Sequence, residues 1–454
     1  MMRLFRITLI ILICLTGLPS FLSASIDQPV SNRIATIDLL LERAISSHLI
    51  AGGVVVIGNR NGILFTTAKG RLNDNPGAPP INERTVFDLA SLTKVIATAP
   101  AVMKLLDEGR VSLLDPLSRW FPEFKDSGGE EITVLNLLTH TSGLADIELR
   151  PGQAMKEAIM KAAAQKNRPR PGSHFNYADI NFILLGELVH RVSGRSLDTY
   201  CHDEIYAPLG TSETGFLPPP RLAETIAPTL GYAGGTVQDK NARRLGSVAG
   251  HAGLFSSASD LALYARMMLG GGAIDGRQIL SERVVNQMTA PYFSNHGAVV
   301  RCLGWDRDSR FSAPKGSFFS DTSFGHTGYS GSSIWIDPTQ DLFVILLTNR
   351  INYRNTHVFN QFRRDVSSVA SAVFRTPDGD QETLSAWDAA KTSVDLLRST
   401  CEADQAQPYS IKLAAAATKM RSTAHRHACK KHSHTCKKQT KRHRDKWHGR
   451  RRRA

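Results

Sequence analysis

Two hairpin signals bracket the body of this chain, and they narrow the folds open to it. Near the front, Gly53–Gly58 (GVVVIG) and Ile63–Ala68 read as strands split by Asn59-Arg60-Asn61-Gly62, a good hairpin turn. Near the back, Ser332–Ile336 and Leu342–Thr348 are β-rich runs joined through Asp337-Pro338-Thr339-Gln340. Antiparallel hairpins at the two ends of one domain pair most economically in a single sheet. Helical spacing surrounds them: Ile37–Leu49 before the first hairpin and about Tyr353–Phe374 after the second. Between them lie helical stretches at Leu92–Glu108, Val134–Thr139, Ala154–Ala164, Ile180–Val192 and Ala258–Leu269. The fold class is therefore α+β, a terminal antiparallel sheet flanked by helices with a helical subdomain inserted.

The ends of the chain have a different character. Arg3 and Arg6 precede an apolar run from Ile7 to Leu18, and Leu22-Ser23-Ala24 offers a small-residue cleavage site. Residues 1–24 thus read as a secretory signal peptide, and the expected location is periplasmic or secreted. The body, residues 25–374, is followed by a polar linker over 375–410 and a basic tail over 411–454. The formal net charge is +14, but the tail alone carries 16 Lys and Arg against Asp445, so residues 1–410 are nearly neutral. The basicity is appended to the body. With Trp447 its one aromatic, the tail gives almost no platform for stacking bases, and no nucleic-acid partner is expected. For an exported protein its partner would be a polyanionic envelope polymer or anionic lipid.

Six cysteines, at Cys14, Cys201, Cys302, Cys401, Cys429 and Cys436, are too sparse for a disulfide framework. Cys429, His432, His434 and Cys436 have ligand chemistry for zinc, but they lie in a Lys- and His-rich run without apolar partners, and no metal is expected there. Gly270-Gly271-Gly272 lacks the strand and the Lys-Ser/Thr of a phosphate loop, and no His-Glu-x-x-His pair occurs. No cofactor is expected.

The chemistry concentrates in three strings. Asp88-Leu89-Ala90-Ser91-Leu92-Thr93-Lys94 enters a helix, which puts Ser91 and Lys94 one turn apart on one face. There the hydroxyl sees free backbone N–H groups and the positive helix end, which pushes a nearby amine toward its neutral, proton-accepting form. Phe175-Asn176-Tyr177-Ala178-Asp179 opens a second helix, and Phe324-Gly325-His326-Thr327-Gly328-Tyr329 precedes a strand. Ser-x-x-Lys alone is a weak pattern, and the other two strings supply the specificity it lacks.

Together these strings resemble the signature of the penicillin-recognising serine hydrolases, which include class C β-lactamases, DD-carboxypeptidases, esterases and amidases. Leu137-Leu138-Thr139-His140-Thr141-Ser142-Gly143-Leu144 and Gly250-His251-Ala252-Gly253-Leu254-Phe255, with Asp239 and Asn241, resemble the low-activity carboxypeptidase and cell-wall amidase branch. The resemblance spans roughly residues 35–372. It implies a β-lactamase/transpeptidase-like fold, Ser91 as acylated nucleophile, and Lys94 and Tyr177 sharing the acid and base work. It also implies an oxyanion hole from the N–H groups of Ser91 and Tyr329, with Asp179, His326, Thr327 and Gly328 facing substrate. Gly328 would let a substrate backbone approach closely.

Two departures bear on mechanism. Asp179 stands where the pattern more often has Asn, and a carboxylate there favours a charged Lys94. Tyr177 then becomes the immediate base, held as phenolate by Lys94; a neutral Lys94 is the alternative. His326 replaces the usual Lys, so the substrate's carboxylate meets a mostly neutral imidazole and β-lactam turnover should be weak. His140 and His251, in Gly- and Ser-flanked turns, are expected to pin loops; Asp321 and Asp260 are expected in a turn and a helix cap. The expected substrate is a peptidoglycan fragment, a β-lactam or an ester. The competing reading is a catalytically weak envelope sensor or scaffold docked by its basic tail.

Overall fold

The computed structural model describes residues 30–125, 131–296, 299–307, 314–374, 390–392, 394–395 and 397–399. The expected signal peptide, the basic tail and its Cys/His group lie outside the described residues. No helix among the described residues is long and apolar enough to cross a membrane.

Helix α1 (Val30–Ser46) leads into strands β1 (Ile50–Asn59) and β2 (Gly62–Gly70). From the other end come β3 (Phe324–Thr327), β4 (Ser333–Asp337) and β5 (Leu342–Arg350). These five strands form one antiparallel sheet in the order β3-β4-β5-β1-β2, with Val54 opposite Leu347 and Val56 opposite Ile345. The two hairpins therefore join as the sequence implies, and β3 is an additional strand on the far edge.

Both faces of the sheet are covered, which is why Val54-Val55-Val56-Ile57 is apolar throughout instead of alternating. Val55 and Ile57 face a layer built by Ile37, Leu40 and Leu41 of α1 and by Phe359, Phe362, Val366 and Val369 of the C-terminal helix Thr356–Phe374. Val54 and Val56 face the helical insertion, which shares one core with Ile345 and Leu347. That insertion holds α2 (Ala99–Asp107), α3 (Asp179–Ser193) and α4 (Ala258–Leu269), besides shorter pieces. A second, four-stranded sheet of two- and three-residue strands (Val86–Asp88, Gly215–Phe216, Ile226–Ala227, Leu254–Ser256) lies beside them.

The C-terminal side departs from its expected character. Within the supposed polar linker, residues 390–392, 394–395 and 397–399 are helical, and Ala390, Val394 and Leu397 are buried against the α1 layer. Arg33 of α1 binds both carboxylate oxygens of Asp395 at 2.9 Å. The spacing of those three apolar residues is that of one helix face, so this part packs onto the domain.

The 250 loop is seated on α3 by glycine. A Cβ on Gly250 would stand 2.0 Å from the Phe182 carbonyl oxygen, and one on Gly186 would stand 2.9 Å from Gly250 Cα. Gly250→Ala is therefore expected to destabilise the protein by about 1–3 kcal/mol through overpacking, as measured by denaturant unfolding.

Candidate active site

The segment carrying Ser91 is not the uninterrupted helix Leu92–Glu108 that its periodicity implies. Ala90 takes a left-handed backbone (φ 46°), Ala90–Leu92 form a 3-10 turn, and Lys94–Thr98 form one wide π turn before α2 begins. A left-handed alanine costs roughly 1–2 kcal/mol, and it is held there by the carboxylate of buried Asp88, which accepts from Ala90 N at 2.8 Å. The wide turn has a cause in sequence. Pro100 has no N–H to give the Ile96 carbonyl, and the Tyr206 hydroxyl donates to that oxygen instead at 3.2 Å. Tyr264 likewise donates to the Val95 carbonyl at 2.9 Å.

Lys94 is wholly buried. Its Nζ donates to Ser91 Oγ (3.1 Å), Asp179 Oδ1 (2.7 Å) and the His251 carbonyl (3.1 Å). An ammonium has three protons to give, and here are three acceptors. The Tyr177 side chain lies beside both Ser91 and Lys94, with Lys94 Nζ 4.9 Å from its ring centre. Since Ser91 Oγ already accepts from Lys94, its own proton is free to point at Tyr177, and Ser91 and Tyr177 are the part-exposed members that a substrate can reach.

The charges follow from this packing. Burial alone would drive Lys94 toward the neutral amine, but Asp179 and Tyr177 overcome it, and the pKa lies above its ordinary value. Burial likewise would raise Asp179, yet Lys94 and His251 hold it below the usual carboxylate range. For Tyr177, burial outweighs the pull of Lys94, with Asp179 acting in the same sense as burial, so its pKa is raised. The neutral amine drops out, and the phenolate expected at rest gives way to a phenol. For Lys94 the reason is Asp179; for Tyr177 burial is the larger cause, and Asp179 adds to it by neutralising the charge that would otherwise stabilise a phenolate.

Tyr177 is placed by its neighbours. His140, fully buried with φ 56°, stacks on its ring at 4.4 Å, and His140 Nδ1 accepts from Ala178 N at 3.3 Å. This is the loop-pinning part expected of His140. Asp146, which no sequence motif marks, accepts from Ile180 N at 3.1 Å and so caps α3 in place of a local side chain. The cap at α4 is Ser257 rather than Asp260, whose carboxylate instead takes the N–H groups of Ser212 and Glu213. Asp321 lies in a turn, as expected.

The third string closes the site. His326 is buried, its Nδ1 bound to the Thr327 carbonyl at 2.9 Å and its ring 6.1 Å from that of Tyr177. Burial, then Arg301 and Lys94, push its pKa well down, so it is a neutral ring beneath the site more than a handle on its open face. Thr327 is part-exposed, while Tyr329 is 53% exposed in the turn after β3. Gly328 also has a packing role. A Cβ there would lie 2.3 Å from the Leu89 carbonyl oxygen and 2.1 Å from Ser332 Oγ. Ser330 and Ser332 donate to the carbonyls of Asp88 and Leu89 at 2.6 and 3.0 Å, and Arg363 binds the Gly328 and Ser332 carbonyls. The turn bearing Tyr329 is thereby clamped to the residues just ahead of Ser91.

Asp179, Asp239 and His251 each offer one ligand atom within 4.8 Å of the others, a geometry open to a cation. The Lys94 ammonium already fills that part against Asp179.

Residues 37–365 match the sequence family described as Beta-lactamase. Over 375 residues the chain is 28% identical to the N-acetylmuramyl-L-alanine amidase of Bacillus subtilis strain 168, covering 73% of this chain and 84% of that one. It is 29% identical to a protein named as a D-alanyl-D-alanine carboxypeptidase from Salmonella agona strain SL483, covering 73% and 86%. Among solved structures, a penicillin-binding protein homologue from Caulobacter crescentus superposes with TM-score 0.63 at 22% identity, over 75% of this chain and 98% of that one. A class C β-lactamase from Rhodobacter sphaeroides gives 0.59 at 20% identity, over 72% and 98%. The structural neighbours establish the fold.

Asp179→Asn removes the charge that keeps both Lys94 and Tyr177 protonated. The pH at which the acylation rate is half-maximal should fall by roughly one unit, read from a pH profile. Tyr177→Phe should cost about 10²–10⁴-fold in the same rate.

Proposed function

Since the chain belongs to the β-lactamase family, serine hydrolases by kinship, we propose that it forms an acyl-enzyme on Ser91 and hydrolyses amide bonds of peptidoglycan fragments. Simple esters are the second class of substrate. The observation that carries this reading is the contact of one part-exposed hydroxyl with a buried ammonium and a phenol. The names of the relatives, an amidase and a carboxypeptidase of cell-wall peptides, support the substrate class.

The acylating form is the minor one in which the Tyr177 phenol has released its proton to solvent; the substrate carbonyl sits against the N–H groups of Ser91 and Tyr329, and the Tyr177 phenolate takes the proton of Ser91 Oγ. The oxygen adds to the carbonyl carbon, and the developing oxyanion is stabilised by the two N–H donors. Tyr177 then gives that proton to the departing nitrogen, the C–N bond breaks, and the acyl-enzyme remains. A water attacks it by the same route, with Tyr177 taking the water's proton and returning it to Ser91. Throughout, Lys94 stays an ammonium and stabilises whichever neighbouring oxygen carries negative charge. We further propose that residues 1–24 direct export to the envelope, where this substrate lies, and that the basic tail holds the enzyme to polyanions there.

Wild-type protein should give a burst of one acyl group per chain with a p-nitrophenyl ester, should take a fluorophosphonate label, and should release free amine from muropeptides. Ser91→Ala should lose all three. An unlabelled wild type would favour the scaffold instead. Because His326 supplies no cation, acylation by benzylpenicillin should be slow, and His326→Lys should accelerate it, measured as the rate of label incorporation; an equal or lower rate would count against that account.

A further inference from the structure

Beside Lys94 and Asp179 lies a further charged pair to which the resemblance assigned no role in the chemistry. His251 reaches the ammonium with its backbone carbonyl, 3.1 Å from Nζ, while its ring lies beside Asp179. There His251 Nε2 meets Asp239 Oδ1 at 2.9 Å. His251 is buried, and its Nδ1 has no hydrogen-bond partner among the described residues. A buried N–H without an acceptor is costly, so the pattern assigns the ring proton to Nε2, donating to Asp239. Asp239 Oδ1 also accepts from Ala242 N at 2.7 Å, capping the short turn Lys240–Arg244.

We propose that Asp239 is a positioning residue for the Ser91 chemistry: through His251 it fixes the third acceptor of Lys94, and its carboxylate adds a second negative charge to the cluster. The proposal rests on the acyl-enzyme reading above. Near the ammonium stand two carboxylates, Asp179 and Asp239, both interacting with Lys94. Each favours the protonated forms of Lys94 and Tyr177. The Asp239 carboxylate, whose burial is outweighed by the His251 hydrogen bond, has a lowered pKa and stays charged. Other groups face this layer. Asp146 and His251 lie beside Asp179. Asp88, with Arg243, lies on the far side of Asp239 and is pushed by burial up to about 6. His140 and His326 border Lys94 and are held neutral. The Lys94–Tyr177 pair is shifted upward, so it titrates above neutrality, clear of Asp88.

The test is the pH dependence of Ser91 acylation by a p-nitrophenyl ester in the full-length protein. Asp239→Asn and Asp239→Ser both remove the charge and both are good helix N-caps, so the turn they begin is preserved. In each, the rising limb of the acylation rate should move to lower pH by roughly half a unit or more. Asp239→Glu should restore the wild-type limb. Asp239→Ala, which also frees His251, should lower kcat about tenfold or more with KM little changed. Limbs of the Asn and Ser variants that superimpose on wild type would overturn the proposal while leaving Ser91 in place. Absence of a burst from wild-type protein would instead overturn the acyl-enzyme reading itself.

Discussion

An ammonium sealed in the interior is what the rest of this site is arranged around. Lys94 is inaccessible to water, and a buried charge is tolerated only where its protons find acceptors and its charge finds an opposite. The protein meets that demand with oxygens from three separate segments: the hydroxyl of Ser91, the carboxylate of Asp179 and the carbonyl of His251. Each must be held within about 3 Å, so three distant parts of the chain must pack to that tolerance. The glycine contacts between Gly186 and Gly250, the stacking of His140 on Tyr177 and the clamps from Ser330, Ser332 and Arg363 all serve it.

Much of this is legible in the sequence, and the exceptions have physical reasons. Ser91, Lys94 and Tyr177 stand in strings whose local spacing is meaningful, and the structure brings them together. The long hairpins and periodic helices are legible because burial imposes a period of two or 3.6. The four-stranded second sheet is not, since strands as short as Gly215–Phe216 and Ile226–Ala227 carry no period at all. The break at Lys94–Thr98 is signalled by Pro100, but the hydroxyl that replaces its missing donor comes from Tyr206, more than a hundred residues away. The Asp239–His251 pair obeys no helical or strand spacing and is defined only by where Lys94 sits. The protonation of Tyr177 cannot be had from neighbouring charges alone, because burial, which no local string encodes, is the larger influence on it.

The substitutions in the motif belong to one electrostatic pattern. Asp179 adds a negative charge beside Lys94, and His326 removes a positive one beside Tyr177. Both changes make the pocket less cationic than one built with Asn and Lys would be. Burial first, and then Arg301, itself buried in ion pairing with Asp306, depress both His140 and His326, so the imidazoles stay uncharged and stack as apolar rings.

The central sheet carries an implication for biogenesis. Strand β1, formed among the first described residues, finds its partner in β5, near the end of the domain. No core around β1 can therefore lock while the intervening helices are still being made, and closing that long loop is slow. A nascent chain with this topology keeps its central sheet open until almost the whole domain has been made.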